Sequence, residues 1–496
     1  MALDIDDSNV TGTIITDVAN SDKSDSPPDW VTCNHVDYEA NIVDWTLFGD
    51  AVTGKGGFKD GTYLIEHKRE DPARYTKRKE TPSYINHTAP IIDTYTGHIY
   101  KKEVVRKSDD PAVEAFWEST NRKGEKSIEL LAKEISRASS TFGHCFVIVD
   151  KKIGDNVETQ EDEANQDIRP YAYVVNPTQL INWGLDEDGN FAWINIKETF
   201  ITDEDDPAAE HALMVRYRIW TKDEWLVFEE GKSSVVARGT HALGEVPVVM
   251  VSNIHMTDGS AVGRSDIQDI AKLNRDIFNW QSELKILLGD TVFNILIMPA
   301  DGLEKDSDTG DYKELNLGTD RVLLYGEGGE PKFIAPSQDS VESYETRILN
   351  TVEDIYKMAR LDYRGGVTPS GVAMQFKFEK TNQILADKAA NLENGEKRIA
   401  RLVKMFASTT GDANMDDTTI QYPQEFGLQD MERELKMHGD VLDLGLGEMF
   451  GKEYKKNVAI QLLPNANEKI ITEIHEEIDS EEMVDPDLVP EGENDE

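Results

Sequence analysis

Cysteine is scarce in this chain: Cys33 and Cys145 are the two among 496 residues. They cannot build a disulfide framework, which points to a reducing compartment. Cations are also short, with 52 Lys and Arg against 95 Asp and Glu and a net charge of −43. No polybasic run or basic arm occurs, and an acidic field repels phosphate. That argues against a conventional sequence-specific DNA binder. Long apolar runs are missing too. Val246–Val251 around Pro247 and Val292–Met298 around Asn294 fall far short of the ~20 residues a membrane helix needs. The opening MALDIDDSNV has no basic stretch followed by an apolar one, so no secretory signal and no membrane partner are expected.

Signals for chemistry are equally thin. Gly49-Asp50-Ala51-Val52-Thr53-Gly54-Lys55-Gly56 has phosphate-loop spacing. However, Gly56 stands where Ser or Thr should hold magnesium, and Asp44–Phe48 makes a poor preceding strand. An ordinary Gly-rich turn is the favoured reading. The ten histidines are scattered, and Cys33-Asn34-His35 is too tight for a shared zinc. No Gly-x-Ser-x-Gly elbow or spaced nucleophile–base pair appears. No catalytic residue, metal or cofactor is expected.

What is present is enough apolar material, 39%, to bury a core in roughly two to four units. Residues 1–29 contain no aromatic and end in Pro27-Pro28-Asp29; they read as a disordered acidic arm. The end, 476–496, has no Lys or Arg and reads as a disordered acidic tail. Residues 30–140 read mainly as helix, with a stripe at Ile128, Leu131 and Ile135 broken by Thr141-Phe142-Gly143. Cys145–Asp150 reads as a buried strand. Tyr171–Val175, Phe191–Ile196, Met214–Trp220, Trp225–Glu229 and Val246–Val251 continue as strands with turns such as Asp186–Gly189. An exposed acidic loop is expected around Val157–Asp167.

The run from Gly259 to Phe406 carries the most information. A helix is expected from Ser265 or Asp266 to Gly289, with apolar Ile267, Ile270, Leu273, Ile277, Trp280, Leu284 and Leu287. A small β unit follows, with strands at Val292–Met298, Arg321–Tyr325 and Lys332–Ala335. After Pro336-Ser337 a second helix has its stripe at Val341, Tyr344, Ile348, Val352, Ile355 and Met358. Loop Tyr363–Gly371 separates it from a last long helix to Phe406, in which Gly395 marks a bend. The expected class is α+β.

Several stretches in that order resemble one family. They are Gly263-Arg264-Ser265-Asp266-Ile267 opening a helix with Asn274 and Ser282, Leu323-Leu324-Tyr325-Gly326, and Ser370-Gly371-Val372-Ala373-Met374. Upstream lie Arg74–Arg78, Tyr84-Ile85-Asn86, and Thr141-Phe142-Gly143-His144 before Val147–Asp150. Together they resemble the portal (head-to-tail connector) proteins of tailed bacteriophages. The resemblance implies a wing at 30–258 and 372–410, stem helices at 259–289 and 337–362, and a clip at 290–336. It further implies a tunnel loop at 363–371 and a crown-like region at 411–475. It implies a ring, usually dodecameric, at the capsid portal vertex of the virion, assembled in the host cytoplasm. Double-stranded DNA would pass without sequence specificity, and the partners would be the large terminase, a head-completion or tail adaptor, and the major capsid protein. An acidic wall suits such a conduit, because each phosphate contact would add affinity and drag.

Candidate channel residues are then Arg360, Arg364, Gly365, Gly366 and Thr368 around the tunnel loop, and Lys272, Arg275 and Lys285 on the first helix. These cations also fit ordinary helix-surface charges with i, i+4 partners. Trp280 and Tyr344 are candidates for contact with a neighbouring subunit or the partner helix. The competing readings are another ring-forming virion protein and an acidic cytoplasmic nucleotide-binding enzyme using Gly54 and Lys55.

Overall fold

Two Asp-Pro pairs start helices in the N-terminal part. Asp71 Oδ1 accepts the Ala73 N–H and Asp110 Oδ1 the Ala112 N–H, both at 2.8 Å. Proline stands at the start of each helix, where its missing N–H costs nothing. The computed structural model describes residues 26–152, 166, 168–202, 211–254, 262–292, 295–299, 322–325, 330–334, 338–361, 371–408, 413–424, 426, 447–462 and 468–480. The chain divides into two units, 1–424 and 425–496.

The first unit opens with α1 (Asp29–Thr32), α2 (Val36–Thr53), α3 (Gly57–Asp60), α4 (Pro72–Glu80) and α5 (Thr88–Ile99). Strand β1 (Val105–Ser108), α6 (Pro111–Glu118) and α7 (Ile128–Phe142) follow. On α7 the expected stripe is buried: Ile128, Leu131 and Ile135 are at most 7% exposed. Gly143 caps α7 with φ 92°, a left-handed conformation only glycine adopts freely.

Strand β2 (His144–Lys151) then runs between β3 (Pro170–Val175) and β9 (Val248–Ser252), antiparallel to both. It touches α7 and the long helix described below, which explains its unbroken apolar run rather than an alternating one. Strands β4 (Leu180–Leu185), β5 (Phe191–Ile201), β6 (Leu213–Thr221), β7 (Glu224–Glu229) and β8 (Ala237–Thr240) form a second, antiparallel sheet in sequence order. The Asp186–Gly189 turn joins β4 to β5, with Asp186 N–H donating to Asn190 O at 2.8 Å.

Helix α8 (Gln268–Val292) leads to a three-stranded sheet in which β10 (Ile295–Pro299) lies between β11 (Val322–Tyr325) and β12 (Lys332–Ile334). Strand β10 is parallel to β11 and antiparallel to β12. Helices α9 (Gln338–Met358) and α10 (Gly371–Ala407) follow, then β13 (Thr418–Gln421), which pairs antiparallel with β1. The second unit contains α11 (Glu448–Leu462) and α12 (Glu468–Ser480), packed on each other.

Several expectations need correction. Helix α8 passes Gly289 and ends at Val292, so Val292 is helical and the strand starts at Ile295. Helix α9 stops at Met358, short of 362. Gly395 lies inside the unbroken α10, where a Cβ would lie 2.7 Å from Val251 Cγ2 on β9. The missing side chain lets helix and sheet approach. Asp29 is helical, and so are residues 476–480. The Ile471, Ile474, Ile478 spacing continues α12, and Lys456 neutralises Asp479 at 2.7 Å. Strand β13 belongs to the first unit, which ends at residue 424. Residues 1–25, the loop expected around Val157–Asp167 apart from Gln166, and 481–496 lie outside the described residues.

Candidate functional site

Four of the stretches singled out in the sequence meet along α8: Thr141–His144, Gly263–Ile267, Tyr84–Asn86 and Arg74–Arg78. Gly143 and Gly263 touch: a Cβ on Gly143 would lie 2.2 Å from Gly263 O, and one on Gly263 2.1 Å from Gly143 O. His144 Nδ1 accepts the Gly263 N–H at 3.1 Å. Ser265 Oγ donates to Thr141 O at 2.6 Å and accepts the Ile267 N–H at 3.1 Å, in the turn that precedes α8; the helix itself starts at Gln268 rather than at Ser265 or Asp266. Farther along, on α8, the fully buried Asn274 accepts from Tyr84 Oη at 2.9 Å and His87 N–H at 3.0 Å, and donates to Ile85 O at 3.0 Å. Ser282 Oγ accepts from Arg78 Nε at 3.0 Å, and Arg78 also bonds Glu70 Oε2 at 2.6 Å. Ser265, Asn274 and Ser282 therefore tie α8 and the turn before it to α7, to the segment leading into α5 and to α4. His144 is 1% exposed, and burial pushes its pKa down to about 3. It is the neutral imidazole that accepts from Gly263.

Beside this joint sits a buried charge that sequence reasoning missed. Lys388 of α10 is 3% exposed. Its ammonium donates to Asp266 Oδ2, to Asn253 Oδ1 and to Ser140 Oγ, the last at 3.1 Å. Asn253 in turn donates to Asp266 Oδ1 at 2.9 Å. The ammonium also lies 5.4 Å from the centre of the Tyr95 ring. Tyr95 Oη donates to Ala359 O at 2.5 Å, just past α9. One network thus holds the start of α8 and the end of α9. A signal for it existed: Lys388 falls on a helical stripe with Leu385, Leu392 and Ile399, a position meant for an apolar residue. Glu396 breaks the same stripe, and it is bound by Arg106 and by Tyr422 Oη at 2.7 Å.

Burial falls along the α8–α9 pair. At the base, Ile267, Ile270, Ile277, Phe278, Val352 and Ile355 are at most 4% exposed. Beyond Asn279 on α8 and before Thr351 on α9, no residue whose burial is described is buried. There Trp280 lies 5.2 Å under the Arg347 guanidinium, and Tyr344 Oη donates to Glu283 Oε2 at 2.9 Å. Both residues therefore meet the partner helix, and both remain half-buried.

The cationic candidates are placed as follows. Lys272 pairs with Asp44 of α2 at 3.1 Å, and Lys285 Nζ donates to Thr81 O at 3.4 Å. Both partners come from other elements, not from i, i+4 positions. Arg275 Nε is buried with no hydrogen-bond partner among the described residues. Arg360 is exposed, with φ 55°, the one non-glycine residue with positive φ among those described. Arg360 N–H donates to Lys357 O at 3.0 Å and Leu361 N–H to Tyr356 O at 2.9 Å, which closes α9 with a Schellman motif. Arg364, Gly365, Gly366 and Thr368 lie outside the described residues. Gly49 to Thr53 is the last turn of α2, and Gly54 is its left-handed cap. A phosphate loop follows a strand; a helix stands here, so the Gly54/Lys55 nucleotide site lacks its framework. Among the described residues, no cluster could hold a metal, and no helix is long and apolar enough to cross a membrane.

A family model described as phage portal protein, SPP1 Gp6-like, matches residues 60–432. The chain belongs to this portal family. The match spans the α8 joint, the three-stranded sheet, α9 and α10. The portal family is structural rather than enzymatic and belongs to the virion portal vertex. No curated protein matches the chain.

Proposed function

We propose that this portal protein closes into a ring at one capsid vertex, and that double-stranded DNA enters during packaging and leaves at ejection along the ring axis. In this reading α8 and α9 are the stem, the β10–β12 sheet is the clip, and residues 363–371 are the tunnel loop. The wing is formed by 30–258 with 372–410, and the crown-like part by 411–475. The large terminase, and afterwards a tail adaptor, would dock on the clip, and the ring would sit against the major capsid protein. The observation that carries the reading is the half-covered state of Trp280, Leu284, Leu287, Tyr344 and Ile348 on the outer part of the helix pair. Two helices cannot cover each other's apolar faces, and copies arranged round an axis would complete the burial.

Electrostatics support the same reading. A conduit must not hold its cargo, and a net charge of −43 per chain keeps phosphate contacts few. Asp339, Glu342 and Glu345 are exposed on α9 and would add to that repulsion. Arg360 and Arg364 would offer local attraction at the tunnel loop. Electron microscopy of the purified chain tests this. Rings with an axial opening wide enough for a duplex are expected; particles with no opening in any assembled form would refute it.

A further inference from the structure

The C-terminal half of α10 carries Lys388, Lys397, Arg398, Arg401 and Lys404. Four of them have a carboxylate partner: Asp266 for Lys388, Glu393 for Lys397, Glu245 for Arg401 and Asp417 for Lys404. Arg398 has no ion pair or hydrogen bond among the described residues. It stands with Arg401 at a cleft of 380 Å³ between the β4–β5 turn, β9 and α10. Leu185, Phe191, Val248 and Met250 supply apolar lining, and Glu245 is the one acidic residue there. Two guanidinium groups against one carboxylate leave the cleft positive.

Arg398 is exposed, and it lines the cleft beside Arg401 and the apolar side chains. Partial desolvation in the cleft first, and Arg401 second, push its pKa down, while Glu245 acts the other way. A cation in open water needs no partner. One held against apolar surface and a like charge gains from an anion, because a partly desolvated pair is stronger than an exposed one.

We propose that this cleft is a subunit contact of the ring and receives an acidic side chain from a second copy of the chain. The inference rests on the ring reading above. With 95 acidic against 52 basic residues, a neighbouring copy offers carboxylates in abundance, and each such contact removes some of the repulsion between copies. A ring contact is heterologous, so a cleft on one copy meets a different surface on the next and need not match itself. The apolar lining favours an acid that has an apolar neighbour.

The test uses the full chain with Arg398→Glu, Arg398→Gln and Arg398→Lys at one salt concentration. Native mass spectrometry and light scattering read the ring fraction, and circular dichroism reads the fold. Arg398→Glu is expected to raise the concentration for half-assembly by about tenfold or more, equivalent to ~1.4 kcal/mol, with the folded spectrum unchanged. Arg398→Lys keeps most of the assembly. If Arg398→Glu fails to fold, Arg398→Gln is read instead, with a smaller shift in the same direction. Variants assembling at the wild-type concentration would overturn the inference while leaving the ring intact. A wild-type chain that forms no ring would remove both. Inorganic phosphate that binds saturably through Arg398 without changing assembly would assign the cleft to a free anion and overturn it too.

Discussion

Lys388 and His144 show how single residues hold the helix pair in place. Lys388→Met strands Asp266 as a buried, unpaired carboxylate, with an expected loss of about 3–5 kcal/mol in urea unfolding. Adding Asp266→Asn removes the stranded charge, so the double variant should recover part of that loss; a strictly additive cycle would mean that the two do not interact. His144 acts through pH. Its folded pKa is about 3, against roughly 6.5 unfolded. The unfolded chain therefore binds a proton that the folded chain refuses between those values. Stability from this group is full above about pH 6.5 and declines as pH falls toward about 3. In His144→Asn, Oδ1 can still accept from Gly263, and the amide does not titrate. The wild type should lose stability relative to this variant as acid is added, and parallel pH curves would show that His144 does not bear the cost. Asn274 and Ser265 were legible in the sequence as part of a resemblance. The place of Lys388 on an apolar stripe was legible too, but not its partners, which come from four separate segments.

At the scale of elements, the two long helices were readable from periodicity, since a stripe repeating every three to four residues has one structural meaning over this length. Their ends were less so. Gly289 reads as a stop but lies inside α8, while Arg360, which reads as a channel candidate or a helix-surface charge, ends α9 in a left-handed cap. Such a backbone favours glycine by about 1 kcal/mol. Arg360→Gly is therefore expected to raise the unfolding midpoint, by up to about 1 kcal/mol in stability. A lower midpoint would mean that the arginine side chain contributes more than the strain costs. Strands β1 and β13 escaped notice because each has four residues and its partner is remote; Ser108 and Thr418, which share a hydrogen bond at 2.8 Å, are 310 residues apart. Strand β8, Ala-Arg-Gly-Thr, lacks the β-branched or aromatic run that marks its neighbours.

For the whole molecule, charge is the governing quantity. Copies that each carry −43 repel, and raising sodium chloride from about 0.01 M to about 0.15 M shortens the screening length from ~30 Å to ~8 Å. The ring fraction measured by light scattering should rise over that range. A fraction that falls would mean that attractive contacts such as the one inferred for Arg398 outweigh the net repulsion.

Composition and periodicity by themselves determined the α+β class, the order of the long elements, the acidic character and the absence of a recognisable catalytic motif. These are local or summed properties, and no fold is needed to read them. Tertiary structure alone decided that Gly143 and Gly263 pack backbone to backbone, that Lys388 joins the ends of two helices, and that Gly395 admits Val251. Each depends on segments far apart in the chain being brought within a few ångströms, and sequence spacing carries no record of that distance.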